Sequence, residues 1–350
     1  MKKNNLLTLL LVLLLSSLLV INTGCKKDEE NPVDPTPQVN ETEILLKHFE
    51  ETNDYIHNFP SFVVTAADVR TMQLSNPSKQ LLIDLRDSVA FRNGRIQGAI
   101  RVPFNNLYDY MKTVNPANYD RIVLICYSGQ TSAYATSLVR AMGGFGSKVV
   151  SLKWGMSSWD SVFAQNYWLS KRSNLRAGQF VKTPSPAKNP KGDLPKLNTG
   201  KKTAPEILEA RIRALLNEGY PAATISENTV YSNLSNYYII NYWPSNLYLN
   251  VGHIDGAIHY EMASGSQPFK STNDLKTLPT NKTVVMYCYT GQTSSYIGAY
   301  LRLLGYDVKS LTYGANSMIY DLMVANSEVP RGNIFIPANE IKGYPYVSGN

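Results

Sequence analysis

Two rhythms of apolar and polar positions alternate along this chain. Short, nearly continuous apolar runs stand at 62–64, 80–84, 121–125 and 148–152. Runs of that length read as buried strands. Between them lie longer segments with apolar residues on one helical face. The spacing predicts a helix over 44–57, with Ile44, Leu45, His48, Phe49 and Ile56 near one side. Thr65 stands where an N-cap belongs, before Ala66-Ala67-Asp68. Residues 94–100 predict a turn leading into a further strand. Strands alternating with helices imply an α/β fold with a mainly parallel sheet. In such sheets ligands gather at the carboxyl ends of the strands.

The same order then returns. A helix is predicted over 204–218 and strands over 237–241, 283–287 and 307–311, with 252–258 spaced like 94–100. Arg140 and Arg302 lie 162 positions apart, as do Cys126 and Cys288. The chain is therefore an internal duplication, with units at 43–170 and 204–330. Residues 171–203 carry Pro184, Pro186, Pro190, Pro195 and many lysines. They predict a linker running along the first unit. Residues 331–350 predict a tail, either packed on the second unit or loose.

The candidate chemistry sits where strand meets helix. The first unit has Cys126-Tyr127-Ser128-Gly129-Gln130-Thr131-Ser132, and the second has Cys288-Tyr289-Thr290-Gly291-Gln292-Thr293-Ser294. In each, an apolar run ends at the cysteine, a short polar loop follows, and a helix begins. Backbone N–H groups and a helix N-terminus can converge there on one sulfur. That geometry stabilises a thiolate. A cysteine that merely fills a core does not need its following loop kept intact twice. Cys126 and Cys288 are thus the candidate catalytic residues.

Composition narrows the field. The net charge is +7, but much of the excess lies in the 171–202 stretch. No nucleic-acid-binding signature accompanies it, so it reads as a solvated linker. With Cys25 at the end of a leader, the two loop cysteines form no disulfide framework. The histidines, His48, His57, His253 and His259, show no metal-ligand spacing with them, and no cofactor is implied. Residues 1–24 read as a secretory leader, with Lys2 and Lys3 before a long apolar run. Gly24-Cys25 resembles the lipobox of bacterial lipoproteins, although Asn22 stands where that motif prefers leucine. The resemblance implies a mature protein beginning at lipidated Cys25, held at a bacterial envelope membrane. The alternative is a leader cleaved by ordinary signal peptidase, or an uncleaved anchor. Residues 25–42, rich in charge and proline, predict a disordered tether.

Taken together, these residues resemble the rhodanese-like family in tandem form. The likeness runs through Leu82-Ile83-Asp84-Leu85-Arg86, the 94–100 segment, the Cys126 loop and Trp154-Gly155, and it returns through 252–258 and the Cys288 loop. It implies two mainly parallel α/β domains, each with its cysteine at the base of a shallow pocket. It also implies sulfur transfer through a cysteine persulfide, from thiosulfate, mercaptopyruvate or a persulfide to a thiol or cyanide. The loop N–H groups of Tyr127 to Thr131 and of Tyr289 to Thr293 would hold the persulfide anion, and Thr131 and Thr293 would each donate a hydroxyl. Asp84, Arg86, Arg95 and His253 would support the sites. Arg95 stands where the family usually has histidine, and Asn241 and Trp243 replace the aspartate and arginine in the second unit. Cys126 is therefore expected to be the better catalyst. Neutral residues after each cysteine argue against a dianionic donor. A phosphatase-type oxyanion loop lacks its arginine here, since residues 131, 132, 293 and 294 are threonine and serine. A non-catalytic envelope scaffold remains the other reading, because fold alone does not fix function.

Overall fold

The structure, a computed structural model, describes residues 40–58, 61–263 and 265–349. The leader, Cys25 and most of the expected tether lie outside the described residues. In the first unit, β1 (Val63–Val64), β2 (Gln80–Asp84), β3 (Ile100–Arg101), β4 (Arg121–Ile125) and β5 (Val149–Leu152) form one sheet in the order β1-β5-β4-β2-β3. Every pair in it is parallel. Downstream come β6 (Phe180–Val181), β7 (Thr224–Ile225), β8 (Tyr238–Trp243), β9 (His253–Ile254), β10 (Ile258–Glu261), β11 (Val284–Tyr287) and β12 (Val308–Leu311). The second sheet, β7-β12-β11-β8-β10, is parallel throughout and repeats the first topology. The α/β expectation holds for both units.

Register carries the chemistry into place. Asp84 lies beside Ile125, the residue before Cys126, and Asn241 lies beside Tyr287, the residue before Cys288. Each cysteine therefore sits at the carboxyl end of a central strand, where β4 hands over to helix α2 (Gln130–Ala141) and β11 to helix α4 (Gln292–Leu303).

Four helices matter for the site: α1 (Glu41–Glu51), α2, α3 (Ala204–Glu218) and α4. Helix α1 starts earlier and ends sooner than the 44–57 pattern suggests. Asn40 caps it by accepting from the Glu43 N–H, and it stops at Thr52. Asn53 then turns its side-chain amide onto the carbonyls of Arg140 and Ala141, at 3.1 and 3.0 Å, closing the end of α2. Tyr55–Asn58 forms a separate short helix. Thr65 does cap the helix Ala66–Ser75, by accepting from the Asp68 N–H.

The two units share one core. Helices α2 and α4 are buried almost all round and pack together, so one hydrophobic cluster takes in Leu138, Ile207, Tyr296 and Leu301 alike. Phe62 stacks flat on Tyr296, with ring centres 4.3 Å apart, and the Arg140 guanidinium donates to the Tyr296 hydroxyl at 3.1 Å. Phe49 of α1 packs on Tyr300 of the second unit at 5.4 Å. Each ring sealed in this way contributes about 1.5–3 kcal/mol through burial.

The connecting segments depart from expectation. The 171–203 linker follows the second unit for most of its length and meets the first near its end, where the Pro195 carbonyl accepts from Thr42 and the Thr199 and Gly200 N–H groups donate to Glu41. The Ser173 and Arg176 N–H groups donate to the carbonyls of Asn316 and Met318, β6 pairs antiparallel with β9, and Lys188 meets Asp274 at 2.8 Å. The tail makes the reciprocal crossing onto the first unit. The Lys342 and Tyr344 N–H groups donate to Ser158 and Trp159, and Val347 bridges to Arg95. Exposed carbonyls after β5 and β12, and open backbone at Arg95 and His253, need partners. The segment leaving each unit supplies them to the other. Among the described residues no helix is long and apolar enough to cross a membrane.

Candidate active site

The Cys126 loop is built from its turn outward. Gly129 adopts φ +86° and caps α2, a conformation that side chains rarely take. The turn brings the Gly129 N–H to Cys126 Sγ at 3.1 Å and the Ser132 N–H at 3.3 Å. Ser132 Oγ lies 3.2 Å from the sulfur and 2.7 Å from Ser151 Oγ. Ser151 Oγ in turn donates to the Gly129 carbonyl at 3.2 Å. From below, Gly155 presses on the loop: a Cβ there would lie 2.5 Å from the Cys126 carbonyl oxygen. The Met156 N–H donates to that same oxygen at 2.9 Å. The sulfur is buried, and its donors hold negative charge without a cation.

The donors at the resting sulfur are not all among those named for the persulfide. Of the 127–131 N–H groups, Gly129 reaches the sulfur, and the second N–H comes from Ser132. The hydroxyl beside each sulfur belongs to Ser132 or Ser294, one residue beyond Thr131 and Thr293. The first helical turn aims its N–H groups along the axis, so the residue one turn in faces the cysteine. The signal for it is the serine that follows the threonine in both copies of the motif.

The Cys288 loop is a looser copy. Its sulfur accepts from the Ser294 N–H at 3.4 Å, with Ser294 Oγ at 3.6 Å and Thr290 Oγ1 at 3.9 Å. Thr290 instead accepts from the Gln292 N–H at 3.1 Å. Gly291, at φ +74°, caps α4.

The surroundings differ more. In the first unit Arg86 and Asp84 form a buried fork, with Nη2–Oδ2 at 2.7 Å and Nε–Oδ1 at 3.0 Å. Arg86 also donates to the Gly94 carbonyl at 2.6 Å, which ties the 94–100 turn to the strand end. It lines a cavity of about 280 Å³ together with Tyr127, Phe163, Asn166, Tyr167 and Tyr346. Tyr127 stacks on Tyr167 at 4.7 Å and donates its hydroxyl to Asp87. In the second unit Asn241 donates to Tyr287 Oη at 2.8 Å, and Trp243 stacks on Tyr289 at 4.8 Å. The buried Asn241 Oδ1, Trp243 Nε1, His253 Nε2 and Tyr289 Oη have no hydrogen-bond partner among the described residues. Tyr289 is 3% exposed, so the indole–phenol stack closes this side of the Cys288 loop. The cavity in the first unit adjoins the cysteine loop through Tyr127, and Cys126 itself is not among its lining residues.

Arg95 and His253 serve the exchanged segments. Arg95 donates to the Gly349 carbonyl at 2.7 Å, and the His253 backbone pairs with Val181. Gln130 and Gln292 tie the loops across the interface. Gln130 Oε1 accepts from the Tyr313 N–H at 2.7 Å while its amide donates to Ser128 Oγ at 3.1 Å. Gln292 Oε1 accepts from the Trp154 N–H at 3.4 Å. Trp168 donates its indole N–H to the Ser128 carbonyl at 2.9 Å. Among the described residues no group of three or more His, Cys, Asp or Glu could hold a metal ion.

The chain is similar to known proteins. The rhodanese-like domain model matches it twice, over residues 65–161 and 229–319. It is 32% identical over 94 residues to thiosulfate sulfurtransferase GlpE of Shewanella oneidensis, covering 27% of this chain and 88% of that protein. Similar solved structures include SSP1007 from Staphylococcus saprophyticus, at 21% identity and TM-score 0.24, covering 27% of this chain and 89% of that one. The Alr3790 protein from Anabaena is similar at 23% identity and TM-score 0.25, covering 28% and 75%.

Proposed function

The chain belongs to the rhodanese-like family, and from that premise we propose that it is a sulfurtransferase working through a persulfide on Cys126. The observation that carries this is the Cys126 sulfur itself. Two backbone N–H groups and the Ser132 hydroxyl surround it at a helix N-terminus, with the Arg86 cavity close by. The Cys126 thiolate attacks the transferable sulfur of a donor, the bond joining that sulfur to the rest of the donor breaks (sulfur–sulfur in thiosulfate or a persulfide, sulfur–carbon in mercaptopyruvate), and the remainder leaves with the electron pair. The resulting persulfide anion rests on the Gly129 and Ser132 donors. An acceptor thiolate or cyanide then attacks the outer sulfur and releases Cys126. Cys288 has a longer set of contacts and the Trp243–Tyr289 stack before it, which supports a minor role.

The test is intact-mass analysis after incubation with thiosulfate, mercaptopyruvate or glutathione persulfide. Cys288→Ser should still gain one sulfur atom, and Cys126→Ser should gain little. A faster Cys126→Ser variant would move the enzyme to the second unit. A wild type that no donor loads would favour the scaffold reading. For placement, we propose a lipoprotein anchored through Cys25 at the bacterial envelope. Labelled palmitate should enter the wild type and be lost in Cys25→Ser; a wild type that takes up none sinks the anchor.

A further inference from the structure

Around Cys126 the neutral residues 127 and 128 leave no cation next to the sulfur in the loop, and Arg86 is already matched by Asp84. What the fold brings there is phenols from different parts of the chain; that of Tyr220 is engaged with Ser295, which leaves those of Tyr313 and Tyr167. Tyr313 belongs to the second unit, in the left-handed turn after β12 at φ +61°. Its backbone N–H is held by Gln130 of the Cys126 loop at 2.7 Å. Its ring packs edge-on against Trp168 at 4.9 Å, and that indole holds the Ser128 carbonyl. Tyr167 arrives from the first unit, stacked on Tyr127 along the wall of the 280 Å³ cavity.

Resting on the sulfur-transfer reading above, we propose that Tyr313 and Tyr167 bind the incoming donor at Cys126 and select a persulfide of low charge over dianionic thiosulfate. The phenols are suited to it. Burial raises that of Tyr313, and the nearby Tyr167 and Cys126 charges push the same way, partly offset by Ser128. Burial also raises that of Tyr167, with Cys126 next in effect. Both stay protonated and can each offer an O–H donor. Two neutral donors match the single charge of the R–S⁻ thiolate that leaves R–S–SH. A dianion in the same buried place would lack a counter-charge. The step balances: Cys126–S⁻ plus R–S–SH gives Cys126–S–SH plus R–S⁻, with no outside oxidant or reductant. The counterpart of Tyr313 is Trp154, whose indole N–H is taken by Glu340 at 2.7 Å. At the second site the phenols that feel Cys288, those of Tyr242 and Tyr289, also feel the Glu261 carboxylate.

The experiment uses the Cys288→Ser chain, which leaves one loadable loop cysteine. Sulfur loading of Cys126 is followed by intact mass against glutathione persulfide and against thiosulfate. The persulfide should load it far more efficiently. Tyr313→Phe and Tyr167→Phe should each raise KM for the persulfide about tenfold, with kcat changed much less, as expected for a lost bond to a charged group. Tyr313→Trp, which copies Trp154 on the same backbone, should behave like Tyr313→Phe while melting normally. A parent that prefers thiosulfate overturns the selectivity. A parent that loads while Tyr313→Phe matches it in KM overturns the role of Tyr313. A parent inert to both donors removes the underlying sulfur-transfer reading instead.

Discussion

At the scale of single residues, His253 shows what the fold does to a side chain that the sequence singled out for another reason. Its ring is fully buried, stacked on Tyr248 at 3.6 Å, with Nδ1 on the Tyr248 carbonyl and Nε2 unpartnered. Burial holds it below the ordinary histidine value of 6.5, although Asp255 and the Tyr248 carbonyl offset part of that. Below that value the unfolded chain binds a proton that the folded chain refuses. Its contribution is therefore present above the unfolded value and lost as pH falls towards the folded one. The urea midpoint should drop between about pH 7 and 5.5, and His253→Gln should be less stable but flatter across that range. His48 shifts the same way, so the difference between the two proteins is what isolates His253; equal slopes would refute the assignment. The residues legible in the sequence were those that repeat or lie two apart on a strand: Cys126 with Cys288, and Asp84 with Arg86. Ser132 and Ser294 stood in plain view within the motif. Their role depends on where the helix starts, and that is set by Gly129 and Gly291 in three dimensions.

At the scale of elements, the cysteine loop depends on the turn beneath it as much as on its own residues. Gly155 has φ +59°, and a Cβ there would meet the Cys126 carbonyl at 2.5 Å and the Ser128 nitrogen at 2.6 Å, both backbone atoms. Gly155→Ala should lift the loop and cut sulfur loading roughly a hundredfold, as displacements near 1 Å do. Gly98→Ala is the control: φ is +86°, yet nothing lies within 4 Å of the added carbon. It should lose some stability and keep its loading rate. Equal losses in the two variants would mean that backbone strain, and not crowding of the loop, is responsible. The strands were readable because continuous apolar runs mark strands buried on both faces. Helix α1 was misjudged at its end because Asn53 is spoken for by the carbonyls of α2, a partner far away in sequence.

At the scale of the molecule, the two repeats are one cooperative body. The shared cluster spans Leu45, Leu138, Leu208 and Leu301, and α1, the linker and the tail all cross between units. The intact 40–350 chain should unfold in one transition by fluorescence and circular dichroism alike. Residues 40–170 expressed alone should fail to give a cooperative monomer, because α2 would expose the face it buries on α4. A well-folded isolated half would contradict this view. The crossing of linker and tail had no local signal in the sequence. Proline and lysine content says that a segment is extended, and nothing about which surface receives it.

The crossed tail also sets an order in time. Chains emerge from the ribosome N-terminus first, and domains ordinarily close as they appear. Here Tyr313, Phe335 and Tyr346, which stand around the Cys126 side of the molecule, are made well after the first unit. The earlier cysteine is thus the later site to be completed. Until those residues have docked, Cys126 has its loop but not its walls.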